Sequence, residues 1–443
     1  MTTTVIVREY ARLTTSHIQN PTLDVAQVSP SAFDWLCGLN ARFSKAGAAL
    51  VQVEDRRWLK LDNYVGALES PCGTRIEILP KHFEDSDCIQ QSRALLRRMI
   101  QKSLDLPTRN VGATTLQRFE TPLTEWVMTS FLDALDHLIK RGLRFDYQRV
   151  EEEQMYLRGQ LNTARQLRQP PGRQHHFQIR HDIFVPDRPE NRLLKTALEI
   201  VCKTTQDPSN WRLSHELRSM LLEVRASRDT AQDFKKWRHD RLMAHYQPVK
   251  PWCELIIHQQ TPLAIAGEWE GMSLLFPMEK LFERYVAACL RDSLPSDATL
   301  RTQRSSEYLC KHNGKKIFQL RPDLMITQGD KRWVLDTKWK RLDTGADSKN
   351  YGLSQSDFYQ MFAYGHKYLG GEGDLVLIYP RRASFQEALP GFELSARLRL
   401  LVVPFDLEMG CLAWAEQAGR ASNGFSAIAD NIHVSAAVVD PVQ

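Results

Sequence analysis

The sequence lacks most of the signatures that settle a chemistry at once. Its eight cysteines, Cys37, Cys72, Cys88, Cys202, Cys253, Cys289, Cys310 and Cys411, are scattered with no C-x-x-C pair. That argues against a zinc site or a disulfide framework, and reduced, mostly buried thiols in a cytoplasmic protein are expected. No apolar run approaches the roughly 18 residues of a membrane span. The opening "MTTTVIVREYARLTT" carries charges and no apolar stretch, so no signal peptide is expected. G-x-x-x-x-G-K-[ST], G-x-S-x-G and G-x-G-x-x-G are all missing. The chain is therefore not expected to be its own P-loop motor or to bind a nucleotide itself, and hydrolase-elbow and dinucleotide readings get no support. Repeats and low-complexity tracts are missing too. So is a strong charge excess: 58 Lys+Arg against 53 Asp+Glu leave +5, which permits nucleic-acid contact without arguing for it.

What is present is an ordinary globular composition, 42% hydrophobic and 25% charged over 443 residues, long enough for two or three cores at roughly 150 residues each. The pattern predicts an α/β multidomain protein. Residues 1–82 read as a small β-rich domain, a barrel or sandwich, with strands in "TVIVREY", "ALVQV", "RWLKL", "YVGALES" and "TRIEILP" and one helix entered through Ser29 and Pro30. Residues 83–262 read as mainly helical. Residues 263–443 alternate helix and strand, which predicts a mixed sheet flanked by helices.

Inside the helical region, Met155 to His181 carries Arg158, Arg165, Arg168, Arg173 and Arg180 and no acid, with Pro170, Pro171 and Gly172 at its middle. A projecting basic loop or hairpin is expected. Its histidines, His175, His176 and His181, lack nearby ligands at metal spacing, and a solvated basic segment is the simpler reading.

The stretch "RPDLMITQGDKRWVLDTKWK", Arg321 to Lys340, reads as a β-hairpin. If it turns between Gly329 and Asp330, antiparallel pairing sets Asp323 across from Asp336, with Cβ atoms about 5 Å apart. Lys338, two residues on, shares the Asp336 face, while Leu335 and Thr337 point to the other. Opposed carboxylates destabilise a sheet unless compensated. A divalent cation such as Mg²⁺, held by one or two carboxylates plus water and phosphate oxygens, supplies that compensation and suits phosphodiester hydrolysis. Lys338 would position or deprotonate a water, or offset developing charge. The alternative is a set of merely solvated strand charges. Glu283 in "MEKLFERYV" precedes the hairpin on a helix. Gln360 and Tyr364 follow it in "DFYQMFAYGHKY", sharing one helix face with Asp357 and Tyr368.

The order Glu283, Pro322-Asp323, Asp336-Thr337-Lys338 and Gln360-x-x-x-Tyr364 resembles the PD-(D/E)xK nuclease superfamily with a Q-x-x-x-Y helix. Within it, the chain from about residue 60 onward is similar to the McrC nuclease subunits of McrBC-type, modification-dependent restriction systems. Supporting stretches are "IEILPKHF", "LRGQLNTARQLRQ", "ENRLLKTALEIV" and "LDTKWK". The resemblance implies a DNA endonuclease of anti-phage defence dependent on Mg²⁺, with Mn²⁺ as a possible substitute. Asp323 and Asp336 would be metal ligands, Lys338 the catalytic lysine, Glu283 an auxiliary ligand or orienting group, the Thr337 carbonyl a further ligand, and Gln360 and Tyr364 auxiliary or DNA-binding. It also implies a separate McrB-like AAA+ NTPase hexamer as partner, one that recognises modified bases of the 5-methylcytosine kind and uses GTP. The N-terminal and helical parts would dock on that ring. The Arg158–Arg180 segment is then a candidate partner contact, with a solvated loop and a DNA-backbone contact as the other readings. An activator scaffold with secondary nuclease activity, and a stand-alone repair-type nuclease, are the rival functions.

Overall fold

The computed structural model describes residues 4–45, 49–82, 88–107, 121–173, 175–258, 273–303, 305–342 and 349–413. Two compact units emerge, Met1–Leu123 with Thr261–Leu263 and Ser273–Gln443, and Thr124–Gln260 with Ala264–Met272. Segments 1–82 and 273–443 share the first unit, and 124–258 lies in the second.

The first unit begins with β1 (Thr4–Arg8), β2 (Arg12–Thr14), β3 (Val25–Gln27), α1 (Pro30–Lys45), β4 (Val51–Val53), β5 (Trp58–Leu61), β6 (Tyr64–Glu69) and β7 (Arg75–Leu79). Ser29 caps α1 by accepting a hydrogen bond from the Ala32 N–H, and Pro30 takes the first helical position, where its missing N–H costs nothing. The strands form two four-stranded sheets, β3-β2-β5-β4 and β1-β7-β6 completed by Leu274–Pro277. That last strand lies far downstream in the chain, so the N-terminal strands share a sheet with a segment from its second half. Gly66 makes the pairing possible: its φ is +134°, and a Cβ there would lie 1.8 Å from the Leu274 carbonyl oxygen. α2 (Ile89–Ser103) follows, its buried Leu95, Leu96, Met99 and Ile100 at helical spacing.

The second unit holds α3 (Leu123–Arg141), β8 (Asp146–Gln154), β9 (Gln160–Leu161), α4 (Thr163–Gln166), β10 (Phe177–Val185), α5 (Pro189–Thr204), α6 (Pro208–Met220), α7 (Thr230–Lys236) and α8 (Lys250–His258). Leu193, Leu194, Ala197, Leu198 and Val201 give α5 a buried stripe. β8 and β10 pair antiparallel along their whole length, from Asp146↔Val185 to Gln154↔Phe177. β8 is exposed along most of its length.

Back in the first unit, β11 (Leu274–Pro277) runs directly into α9 (Met278–Ser293), followed by β12 (Ala298–Thr302), β13 (Tyr308–His312), β14 (Lys315–Gln319), β15 (Leu324–Gln328), β16 (Lys331–Thr337), α10 (Gln355–Tyr368), β17 (Gly373–Pro380), β18 (Phe392–Ser395), β19 (Leu398–Asp406) and β20 (Cys411–Leu412). The expected mixed sheet is there, in the order β12-β15-β16-β17-β19-β18 with β20 on β19. β16, β17 and β19 run parallel to one another at its centre. α10 covers it, laying Met361, Tyr364 and Tyr368 on Met325, Val334, Leu375 and Leu377. The stretch "KIFQLRPDLMIT", apolar on both sides of its proline, holds two strands: β14 pairs with β13 as a separate ribbon and β15 enters the main sheet. Pro322, with no N–H to donate, lies in the break between them.

Candidate active site

The β15–β16 hairpin turns at Gly329 and Asp330, and Leu324 pairs with Leu335. This is the register that carries Asp323, one residue before β15, towards Asp336. Asp336 is 1% exposed and forms an ion pair with Lys338. Burial raises the Asp336 pKa, and the Asp323 charge raises it further. Asp323 is also raised, by burial and then by the Glu283 charge, against two hydrogen bonds from Thr337. For Lys338, burial opposes the charge, but the neighbouring Asp336, Asp357 and Asp323 outweigh it and the pKa is raised. The lysine is an ammonium at neutral pH. Asp323, Asp336 and Lys338 come close enough to shift one another's ionisation, as the hairpin register implied, and the Glu283 charge acts on Asp323.

One detail differs. Thr337 was assigned to the opposite face, yet its N–H and Oγ1 both donate to Asp323 Oδ2, each at 2.8 Å. Asp323 lies outside the paired strand and Thr337 is the last residue of its own. Side-chain alternation no longer constrains residues at that margin.

Glu283 sits on α9, whose Leu281, Phe282, Tyr285 and Val286 face the core. It is itself buried, against the bland expectation of a solvated helix face. Its Oε2 accepts from Lys280 Nζ at 2.7 Å and its Oε1 from Gln303 Nε2 at 2.9 Å. Gln303, with φ +47°, also donates its backbone N–H to the Asp323 carbonyl at 2.8 Å. Gln303 therefore ties two of the acidic positions together. Neither Gln303 nor Lys280 was singled out in the sequence. The Lys280–Glu283 pair has the i,i+3 helical spacing that could have revealed it, whereas the Gln303 link depends on β12 pairing with β15 and leaves no local signal.

On the other side, Gln360 Oε1 accepts from Lys338 Nζ at 3.1 Å, Gln360 Nε2 donates to the Tyr364 hydroxyl at 2.8 Å, and that hydroxyl donates to the Arg321 carbonyl at 2.9 Å. Tyr364 is buried, at 3% exposure. The polar stripe, expected to be auxiliary or DNA-binding, forms a hydrogen-bonded brace running from the lysine to the chain just before Asp323. Asp357, on the same helix, is held by Lys340 and the Tyr379 hydroxyl.

No group of three or more His, Cys, Asp or Glu side chains at metal-binding distance occurs among the described residues. The donor set nevertheless suits Mg²⁺, which takes one or two carboxylates and fills its shell with water and phosphate oxygens. Asp336 Oδ2 is buried and meets the Lys338 ammonium in the ion pair, so a cation bound there would share the carboxylate with the lysine. Asp323 and Asp336 are the residues that could hold one, with Glu283 and Thr337 beside them.

The arginines of the basic segment lie in the second unit. Arg165 and Arg180 both pair with Glu151, and His176 and His181 meet Glu153 and Glu152. These acids come from β8, just outside the acid-free stretch, so strand pairing neutralises part of the charge that sequence reading assigned to the segment. Arg158, Arg168 and Arg173 remain exposed without a side-chain partner among the described residues. Met155, Tyr156, Leu157 and Leu167 are exposed in the same segment.

Among the described residues no helix is long and apolar enough to cross a membrane. A comparison with curated proteins returns no match. Among solved structures, the chain is similar to one in a refined half-complex from a tetradecameric assembly of Thermococcus gammatolerans McrB AAA+ hexamers with bound McrC. The TM-score is 0.68 at 19% identity, covering 98% of this chain and 99% of that one. A second likeness is to a chain of the Thermococcus gammatolerans McrBC complex, with a TM-score of 0.51 at 21% identity, covering 66% and 88%. The family model for McrBC 5-methylcytosine restriction system components matches residues 59–380, and the chain belongs to that family.

Proposed function

We propose that this chain is the DNA-cutting subunit of its restriction system: a Mg²⁺-dependent endonuclease of the PD-(D/E)xK kind, acting with a separate McrB-like AAA+ NTPase. The observation that carries the reading is the buried Asp336 carboxylate beside Lys338, with Asp323 and Glu283 next to them. A buried carboxylate set beside a second acid is a costly structural device and a good cation ligand.

When bound between Asp323 and Asp336, Mg²⁺ would supply Lewis-acid polarisation of the scissile phosphate and a more acidic water. The remaining work falls to side chains. Lys338, held by Asp336 and Gln360, offers a fixed positive charge to the phosphate as negative charge builds on it. Thr337 orients Asp323, and Gln303 orients Glu283. The hairpin of the second unit, with unpaired Arg158, Arg168 and Arg173 and exposed apolar neighbours, is the partner-contact surface. A likeness to chains from McrB–McrC assemblies supports that division of labour.

Asp336→Asn and Lys338→Ala should each lower cleavage of modified DNA by on the order of 10³-fold while leaving circular dichroism and stimulation of the partner's nucleotide hydrolysis intact. Undiminished cutting by either variant sinks the assignment.

A further inference from the structure

α2 packs against α9, and a polar cavity of about 840 Å³ opens between them. Ala287 and Ala288 form part of its floor, and its lining carries the cations Arg98, Lys102, Arg284 and Arg291 and the acids Asp105 and Asp292. Glu283 and Gln303 also line it, so the groove begins at the candidate catalytic carboxylates themselves.

The four cations are not equivalent. Arg98 donates to the Leu407 and Glu408 carbonyls, and Lys102 pairs with Asp292, joining α2 to α9. Arg284 and Arg291 are exposed and have no acceptor among the described residues. They lie seven residues apart on one face of α9, about 10.5 Å along the helix axis, with only the two alanines of the floor between them. A solvated helix face would account for two free arginines. It does not account for their flanking a small-residue floor in a groove that leads to the acidic cluster.

We propose that this groove holds the phosphodiester backbone of the substrate strand on one side of the scissile phosphate, with Arg284 and Arg291 each contacting a phosphate. The inference rests on the nuclease reading and names the residues that grip its substrate.

The test is equilibrium binding of a fluorescein-labelled DNA duplex to the full chain without divalent metal, measured across a salt series, with cleavage followed in parallel in the presence of Mg²⁺ and the NTPase partner. Losing two phosphate contacts in Arg284→Ala/Arg291→Ala should flatten the slope of log K against log salt by about 1.8 and weaken binding roughly 30-fold at ~0.15 M salt. Arg284→Lys/Arg291→Lys, which keeps the charges, should restore most of the slope. Unchanged slope and affinity in the alanine pair, with wild-type cutting intact, overturns the groove alone. A lysine pair that fails to restore binding and also unfolds earlier makes the arginines structural and likewise overturns it. A wild-type chain that neither binds nor cuts DNA overturns the nuclease reading as well.

Discussion

Lys338 is held from two directions, by the Asp336 carboxylate and by Gln360, which is anchored in turn by Tyr364 on the Arg321 carbonyl. If this brace positions the lysine, Gln360→Ala should lower the saturated cleavage rate by about 10- to 100-fold with little change in DNA affinity. Tyr364→Phe, which leaves a carbonyl without its donor, should cost about 1 kcal/mol of stability. Weakened DNA binding with an unchanged saturated rate would instead favour the surface role that helical spacing alone suggested. Glu9 poses a different question at this scale. It is fully buried, it accepts hydrogen bonds from the Trp339 indole and the Lys81 N–H, each at 2.8 Å, and burial pushes its pKa from 4.5 up to about 7. Between those values the folded chain keeps a proton that the unfolded chain releases. Stability therefore falls as pH rises through the window, by on the order of 3 kcal/mol once pH exceeds the folded value. Glu9→Gln keeps an acceptor and removes the titration, so its melting temperature should gain on wild type between pH 5 and pH 8. A difference that stays the same at both pH values would show that Glu9 does not titrate in that range.

At the scale of elements, the pairing of β6 with β11 joins the N-terminal strands to the strand that launches α9, and so to Glu283. Gly66 is the point of closest approach. Gly66→Ala sets a Cβ against the Leu274 carbonyl at a positive φ, and should destabilise the chain by on the order of 3 kcal/mol, read as a lower urea midpoint. A midpoint within error of wild type would mean that the two strands separate at little cost. This pairing also marks what the sequence could reveal. Strands β1 and β4 to β7 and the entry to α1 were visible because alternation and capping are local. The β15–β16 register was visible because a Gly-Asp turn fixes it. The membership of β11 in the N-terminal sheet was not visible, since nothing in "LLFP" says which distant strand it will meet. Nor was the break at Pro322 read from "KIFQLRPDLMIT", where apolar residues continue on both sides of the proline. In the candidate site, Asp323, Asp336 and Lys338 were legible from hairpin spacing, and Glu283 only through the family resemblance. Gln303 was not, because its role comes from a strand pairing made across the sheet.

For the whole molecule, the proposed function of cutting DNA and driving a partner requires two surfaces that fail independently. The basic segment of the second unit was legible as charge but not as geometry, because Glu151, Glu152 and Glu153 stand opposite it only once β8 pairs with β10. That pairing divides the arginines into two groups with different expected roles. Arg165 and Arg180 share Glu151, an exposed pairing of the kind that contributes little to stability and competes with any outside acceptor. Arg158, Arg168 and Arg173 have no such competitor and sit with Met155, Tyr156, Leu157 and Leu167, the exposed apolar and basic mixture that suits a protein interface. Changing the free three to alanine should reduce stimulation of the NTPase partner's nucleotide hydrolysis at least tenfold. Changing the paired two should reduce it less, and neither set should alter the unfolding midpoint. The measurement is nucleotide turnover at fixed partner concentration, titrated with each variant. If the paired arginines prove the more sensitive, the hairpin engages its partner through the Glu151 face and the assignment of the free arginines is wrong. If all five can be removed without effect, the docking surface lies elsewhere in the chain.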